Sequence, residues 1–152
     1  MSDDAARESR VRELEDRQQI RDLVFRYRVE LDRRDLAAYA ALFAEEGTWS
    51  GRTGSARGPA GIQAMLEERL VPNPPAPGPT TTHVVTDPTI TLSGDTATGF
   101  SLWTLIGRSA SDTPQILTLG HYEDEYVREN GEWKFASRIA AIDIPHQEEQ
   151  LR

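Results

Sequence analysis

The chain has 152 residues, of which 25 are Asp or Glu, 17 are Lys or Arg and none is Cys; its formal net charge is −8 and 38% of it is hydrophobic. A chain of this length builds one core and buries about 68 to 70% of its unfolded surface, so it folds without a disulfide or a structural metal. The missing cysteines exclude disulfide frameworks, thiolate zinc, iron–sulfur clusters and thiol nucleophiles, and the acidic balance argues against nucleic acid or an anionic membrane as partner, because those surfaces require a basic stripe.

The first residues, Met1-Ser2-Asp3-Asp4-Ala5-Ala6-Arg7-Glu8, lack the basic start and apolar run of a signal peptide, and no stretch of about 20 apolar residues occurs. A cytoplasmic location is expected. From Arg7 to about Arg34 there is neither Pro nor Gly, and Ile20, Leu23, Val24, Tyr27 and Leu31 recur three or four apart. That spacing predicts an amphipathic helix. Arg7, Glu8, Arg10, Arg12, Glu13, Glu15, Asp16 and Arg17 mix signs along its first half, which reads as a solvated face with a fraying start. Residues 1–16 are expected as a partly mobile helical extension, 17–144 as the domain and 145–152 as a tail.

A second helix is expected from Leu36 to Phe43, capped by Asp35 and ended by Glu45-Glu46-Gly47. Thr48-Trp49-Ser50 reads as a short strand and Gly51 to Pro59 as a glycine-rich turn. A third helix, from about Ala60 to Leu70, carries Ile62, Met65, Leu66 and Leu70. Five prolines between Pro72 and Pro79 forbid helix or central strand, so this segment is a loop and a candidate lid.

After Thr80 the period changes to two. Strands are expected over Thr82–Leu92, Ala97–Arg108, Ile116–Arg128 and Glu132–Ile144, with turns at Ser93-Gly94-Asp95 and Glu129-Asn130-Gly131. In the last pair Tyr122, Asp124, Tyr126 and Arg128 share a face. Alternation sets Trp133, Phe135, Ser137, Ile139 and Ala141 against Lys134, Ala136, Arg138 and Ala140. Helices first and strands after predict an α+β architecture, a curved, largely antiparallel sheet whose concave face is closed by the N-terminal helices.

Few groups remain for chemistry. Of the three histidines, His83 opens a strand on the same side as Val85, His121 alternates with Glu123, Glu125 and Val127 on a solvated or intersubunit face, and His146 lies in the tail. An imidazole at a pocket edge shuttles protons near neutral pH, although His83 taken alone also fits a satisfied, partly buried side chain. Asp32 sits near the C-terminal end of the first helix, where the helix dipole disfavours a carboxylate. A surface acid paired with Arg28, Arg33 or Arg34 is the plainer reading. Tyr27 lies near the centre of the apolar stripe, with a hydroxyl that needs a partner or a ligand. Arg138 falls between two alanines and either anchors an anionic or carbonyl group or pairs outside with Glu123 or Glu125. Neither a G-x-S-x-G elbow, a phosphate loop, a dinucleotide fingerprint nor an H-E-x-x-H helix occurs.

The run Ile20-x-x-Leu23-x-x-x-Tyr27-x-x-x-Leu31-Asp32-x-x-Asp35, then Leu42-Phe43-Ala44-Glu45-Glu46-Gly47-Thr48-Trp49, Thr82-His83, and Gly120-His121-Tyr122-x-Asp124-Glu125-Tyr126 followed by Gly131-x-Trp133-Lys134-Phe135, resembles the SnoaL-like branch of the nuclear-transport-factor-2-like superfamily. It is most similar to the group holding scytalone dehydratase, lindane dehydrochlorinase and bile-acid 7α-dehydratase. In those lyases a late aspartate of the first helix and a histidine opening the strand after the long loop form a dyad, positions matched here by Asp32 and His83. Tyr27 matches a tyrosine of the bile-acid enzyme, and Arg138 matches an arginine of the last strand.

The resemblance implies an α+β cone, three N-terminal helices packed on a strongly curved sheet around one apolar pocket, and a cofactor-independent lyase of dehydratase type for a cyclic hydroxy-ketone, polyketide-like or steroid-like molecule, with no cofactor or metal; Trp49, Met65, Phe100 and Trp103 are candidate pocket walls, which core packing explains equally well. It also admits a polyketide cyclase, a ketosteroid-type isomerase, or a noncatalytic ligand-binding or assembly subunit like those of ring-hydroxylating dioxygenases. Homo-oligomers, trimers or dimers, are expected from the sheet face turned away from the helices.

Overall fold

The computed structural model describes residues 2–52, 54–70 and 81–145. The proline-rich segment at 72–79, expected as a lid, and His146 with the rest of the tail lie outside the described residues.

Helix α1 spans Asp3–Arg33 without a break, so residues 3–16 are the first half of the same helix that carries the core stripe. The Ser2 hydroxyl accepts from the Ala5 amide at its start, and Arg34 ends it in the left-handed region at φ 61°. Ile20, Leu23, Val24 and Tyr27 are buried along one face. Each such burial contributes about 1.5 to 3 kcal/mol, far more than helix propensity. The outer-face reading fails at Asp16, which is buried and accepts from Arg128 Nη2 at 2.9 Å and Trp133 Nε1 at 3.0 Å. Two donors from remote strands replace the water it loses.

Helix α2 spans Leu36–Ala40, capped as expected by Asp35, whose carboxylate accepts from the Ala38 amide at 3.0 Å. It stops before Phe43 because the chain there is recruited to a sheet: the Phe135 amide donates to the Leu42 carbonyl at 2.9 Å. Strand β1 accordingly runs from Phe43 to Gly51, absorbing the expected helix terminator Glu45-Glu46-Gly47, and β2, Gly54–Arg57, folds back on it where a loose turn was expected. Helix α3 is Gly58–Leu70.

The second half supplies β3 (Thr81–Val85), β4 (Thr89–Ser93), β5 (Thr96–Arg108), β6 (Pro114–Glu129) and β7 (Glu132–Ile144). The single strand expected over Thr82–Leu92 is therefore two, paired with different halves of β5. The seven strands form one sheet in the order β2-β1-β7-β6-β5-β3, with β4 also on β5. Only β1 and β7 pair in parallel. The sheet is curved and not closed, with the helices packed against it.

Bulges shape that curvature. In the β6–β7 ladder Glu125 pairs with Ser137 and Tyr126 with Phe135, leaving Ala136 as an extra residue. The alternation of β7 consequently changes phase. Trp133 and Phe135 point into the core, then Arg138 does, while Ile139 turns outward. Strict period-two reading had grouped Ile139 with Phe135.

Candidate active site

Asp32 stands one residue before the end of α1, and β3 runs past that helix end. The Asp32 Oδ1 to His83 Nδ1 distance is 2.7 Å, while Oδ2 accepts from the His83 amide at 3.1 Å and from the Thr82 hydroxyl at 3.0 Å. Arg28 approaches Oδ2 at 3.6 Å, so the expected helix-surface pair exists but is the longest of the contacts. The Asp32 and His83 side chains are 15% and 18% exposed. Burial pushes the Asp32 carboxyl up, yet the hydrogen bonds from the His83 ring and amide and from Thr82 outweigh it and hold the group below its ordinary value. An ionised Asp32 requires a proton on Nδ1, which leaves Nε2 as the nitrogen with a free lone pair.

Tyr27, one and a half turns earlier on α1, is buried. Its oxygen accepts from Tyr39 Oη at 2.6 Å and from Trp49 Nε1 at 2.9 Å. Burial raises its pKa, so the phenol stays protonated. With both donors aimed at the oxygen, its own proton is free to be given.

Arg138 has neither of the environments expected on the outer surface: it is fully buried and donates to Asp124 twice, Nε to Oδ1 at 2.7 Å and Nη2 to Oδ2 at 2.6 Å. Asp124 also accepts from Tyr126 Oη at 2.8 Å. The guanidinium lies 3.8 Å from the Tyr122 ring, 4.2 Å from Tyr27 and 4.3 Å from Phe135. Its Nη1 is buried without a hydrogen-bond partner. Burial pushes the Arg138 guanidinium down, yet the attraction and hydrogen bonds of Asp124 outweigh it and hold the group above its ordinary value.

Trp49, Met65 and Trp103 are buried in the core cluster. Trp103 has its ring centroid 6.1 Å from that of His83 and 5.9 Å from that of Tyr122, which links the dyad to the arginine. Gly120 permits this: a Cβ there would stand 2.3 Å from the Trp103 ring. Phe100 does not belong to the interior. It is 43% exposed and stacks on His121 at 5.3 Å, because Ser101 and Trp103 point inward and the pleat sends their neighbours out. His121 bonds Asp143 at 2.8 Å on that outer face.

Sequence reasoning passed over Thr82, Tyr39, Ser101, Tyr122 and Asp124. Asp124 left a trace, an acid between two tyrosines on one strand face; the others left none. Among the described residues, no group of three or more His, Asp or Glu side chains is arranged to hold a metal ion. A depression of about 290 Å³ next to the dyad strand is lined by Thr81, Thr82, Ile106, Gly107, Arg108, Asp112, Thr113 and Pro114, and includes neither Asp32 nor His83.

A family model described as a SnoaL-like domain matches residues 12–139. No curated protein sequence matches the chain. Among solved structures, an NTF2-like protein with a cystatin-like fold from Novosphingobium aromaticivorans is 26% identical, with a TM-score of 0.81 over 96% of this chain and 94% of that one. A protein of the same organism bearing the provisional name scytalone dehydratase is 26% identical over 87% of each chain, with a TM-score of 0.71. A hexachlorocyclohexane dehydrochlorinase from Novosphingobium barchaimii, 21% identical over 86% of this chain and 88% of its own, has a TM-score of 0.72 and shares the fold.

Proposed function

The chain belongs to the SnoaL-like domain family, and on that premise we propose that it is a cofactor-independent lyase of dehydratase type, acting on a cyclic hydroxy-ketone of polyketide-like or steroid-like character. The observation that carries this reading is the 2.7 Å contact between Asp32 Oδ1 and His83 Nδ1, which turns Nε2 into a base. His83 Nε2 takes a proton from the carbon beside the carbonyl. The C–H electron pair becomes the new double bond, the C–O bond to the leaving hydroxyl breaks, and the proton on His83 departs with that hydroxyl as water. Asp32 fixes the tautomer and stabilises the imidazolium formed on the way. Tyr27 donates its proton's hydrogen bond to the substrate oxygen, and Arg138 adds positive charge nearby.

His83→Ala should lower turnover of such a ketone by about 10² to 10⁴ with the fold intact by circular dichroism. Asp32→Asn should do comparable damage, because an amide in that place no longer enforces the Nδ1–H tautomer. Undiminished turnover in both variants sinks the mechanism. A product whose mass is unchanged, rather than lower by one water, replaces elimination with isomerisation or cyclisation by the same pair.

The outer sheet face carries Phe100 and Leu102 on β5 and Ile139 on β7, all exposed and apolar, on the two strands that flank β6. A second copy of this chain is the proposed cover, giving a homo-oligomer, dimer or trimer.

A further inference from the structure

We propose that Tyr122 is a second phenol donor of the site and that, with Arg138 Nη1, it binds the carbonyl oxygen of the substrate as that oxygen becomes an enolate. This rests on the lyase reading and narrows it: the substrate is a ketone whose oxygen takes up charge, and not an alkyl halide.

Of the four tyrosines, Tyr27, Tyr39 and Tyr126 each make a hydroxyl hydrogen bond within the protein. Among the described residues the Tyr122 hydroxyl has no hydrogen-bond partner, although only 3% of the residue is exposed. Among the described residues, three side-chain polar atoms are wholly enclosed without a partner: Arg34 Nη1, Ser101 Oγ and Arg138 Nη1. Two of them border Tyr122, for Ser101 faces it across the β5–β6 ladder and Arg138 packs on its ring at 3.8 Å. Unmet donors in an interior are unfavourable, and a cluster of them marks a place built for something else to accept.

The ring is also held still. Trp103 stacks on it with centroids 5.9 Å apart, Tyr27 meets it edge-on at 5.5 Å, and the guanidinium caps it. The Trp103 ring neighbours both the Tyr122 ring and the His83 ring. Burial, reinforced by Tyr27 and opposed by Arg138, keeps the Tyr122 phenol well above its ordinary pKa, so it donates at neutral pH.

The chemistry then runs in two balanced steps. His83 Nε2 takes the proton, the C–H pair forms the C=C of an enolate, and the oxygen takes negative charge between the Tyr122 O–H and the Arg138 N–H. The enolate re-forms its C=O as the neighbouring C–O bond breaks, and hydroxide leaves with the proton from His83. A departing halide is a weak hydrogen-bond acceptor and needs no such pair of donors.

The probe is 2-naphthol, with naphthalene as its oxygen-free control, and binding is followed by fluorescence and absorbance. The wild type should bind 2-naphthol more tightly than naphthalene, and Tyr122→Phe should weaken 2-naphthol by about tenfold or more while leaving naphthalene unchanged. The bound naphthol should be more ionised in the wild type than in water at the same pH, because donors to the anion lower its pKa. Tyr122→Phe breaks no hydrogen bond, so its thermal midpoint should equal or exceed that of the wild type, whereas Tyr126→Phe should lose stability with its bond to Asp124. Equal 2-naphthol affinity in the wild type and Tyr122→Phe overturns the assignment. So does a wild type that does not prefer 2-naphthol, or one that leaves its ionisation unchanged. The naphthol result is independent of turnover: if His83→Ala leaves activity untouched while Tyr122→Phe still weakens the probe, the lyase reading falls and the oxyanion site stands.

Discussion

Asp32 is a carboxylate at the negative end of a helix dipole, and it persists there as an anion because the His83 ring, the His83 amide and the Thr82 hydroxyl all bond it. Its pKa is lowered on folding, so the unfolded chain binds the proton more tightly. The stability this confers is fully present above the unfolded pKa and is lost as the pH falls through the lower folded value. The thermal midpoint of the wild type should therefore exceed that of Asp32→Asn by a margin that is constant above about pH 5 and shrinks below about pH 4. A margin that grows on acidification would contradict the bonding described. At this scale the family resemblance pointed to Asp32 and His83 by position, whereas periodicity alone favoured the surface-acid reading. What separated them is the meeting of two segments 51 residues apart.

The element that does most for the interior is β7, and its decisive feature is the extra residue Ala136. Without that bulge, alternation would hold Arg138 on the side of Lys134, away from Phe135. With it, Arg138 is driven under three aromatic rings and needs Asp124 as its counter-ion. Removing one partner from such a pair leaves a bare charge in a dry core. Asp124→Leu should cost about 3 to 5 kcal/mol in a urea titration, and adding Arg138→Met to it should recover part of that loss. A double variant less stable than the single one would mean that the pair itself stabilises the fold. The bulge is invisible to period counting, since the β7 sequence reads as an unbroken alternation and only the β6 partner defines which residue is surplus. The same limit explains the split of the strand expected over Thr82–Leu92 and the early end of α2, both settled by pairing with distant strands.

At the scale of the whole molecule, the helices cover one face of the sheet and leave Phe100, Leu102 and Ile139 bare on the other. Light scattering should return a small multiple of the 17.0 kDa chain mass, and Leu102→Asp with Ile139→Asp should reduce it to one. A monomeric wild type would leave that face without the proposed cover. Among the described residues, no helix is long and apolar enough to cross a membrane. The sequence by itself determined that the helical half precedes the sheet half, the buried stripe of α1, the Asp35 cap, the turns at Gly94 and Gly131, and the short roster of groups available for acid–base work, because these depend on local spacing and residue chemistry. Only the tertiary structure decided which acids are buried, that Phe100 faces out, and that Tyr39, Trp49, Tyr122 and Asp124 gather around Tyr27 and Arg138. Those facts depend on strand register and bulges, which arise between segments far apart in the chain.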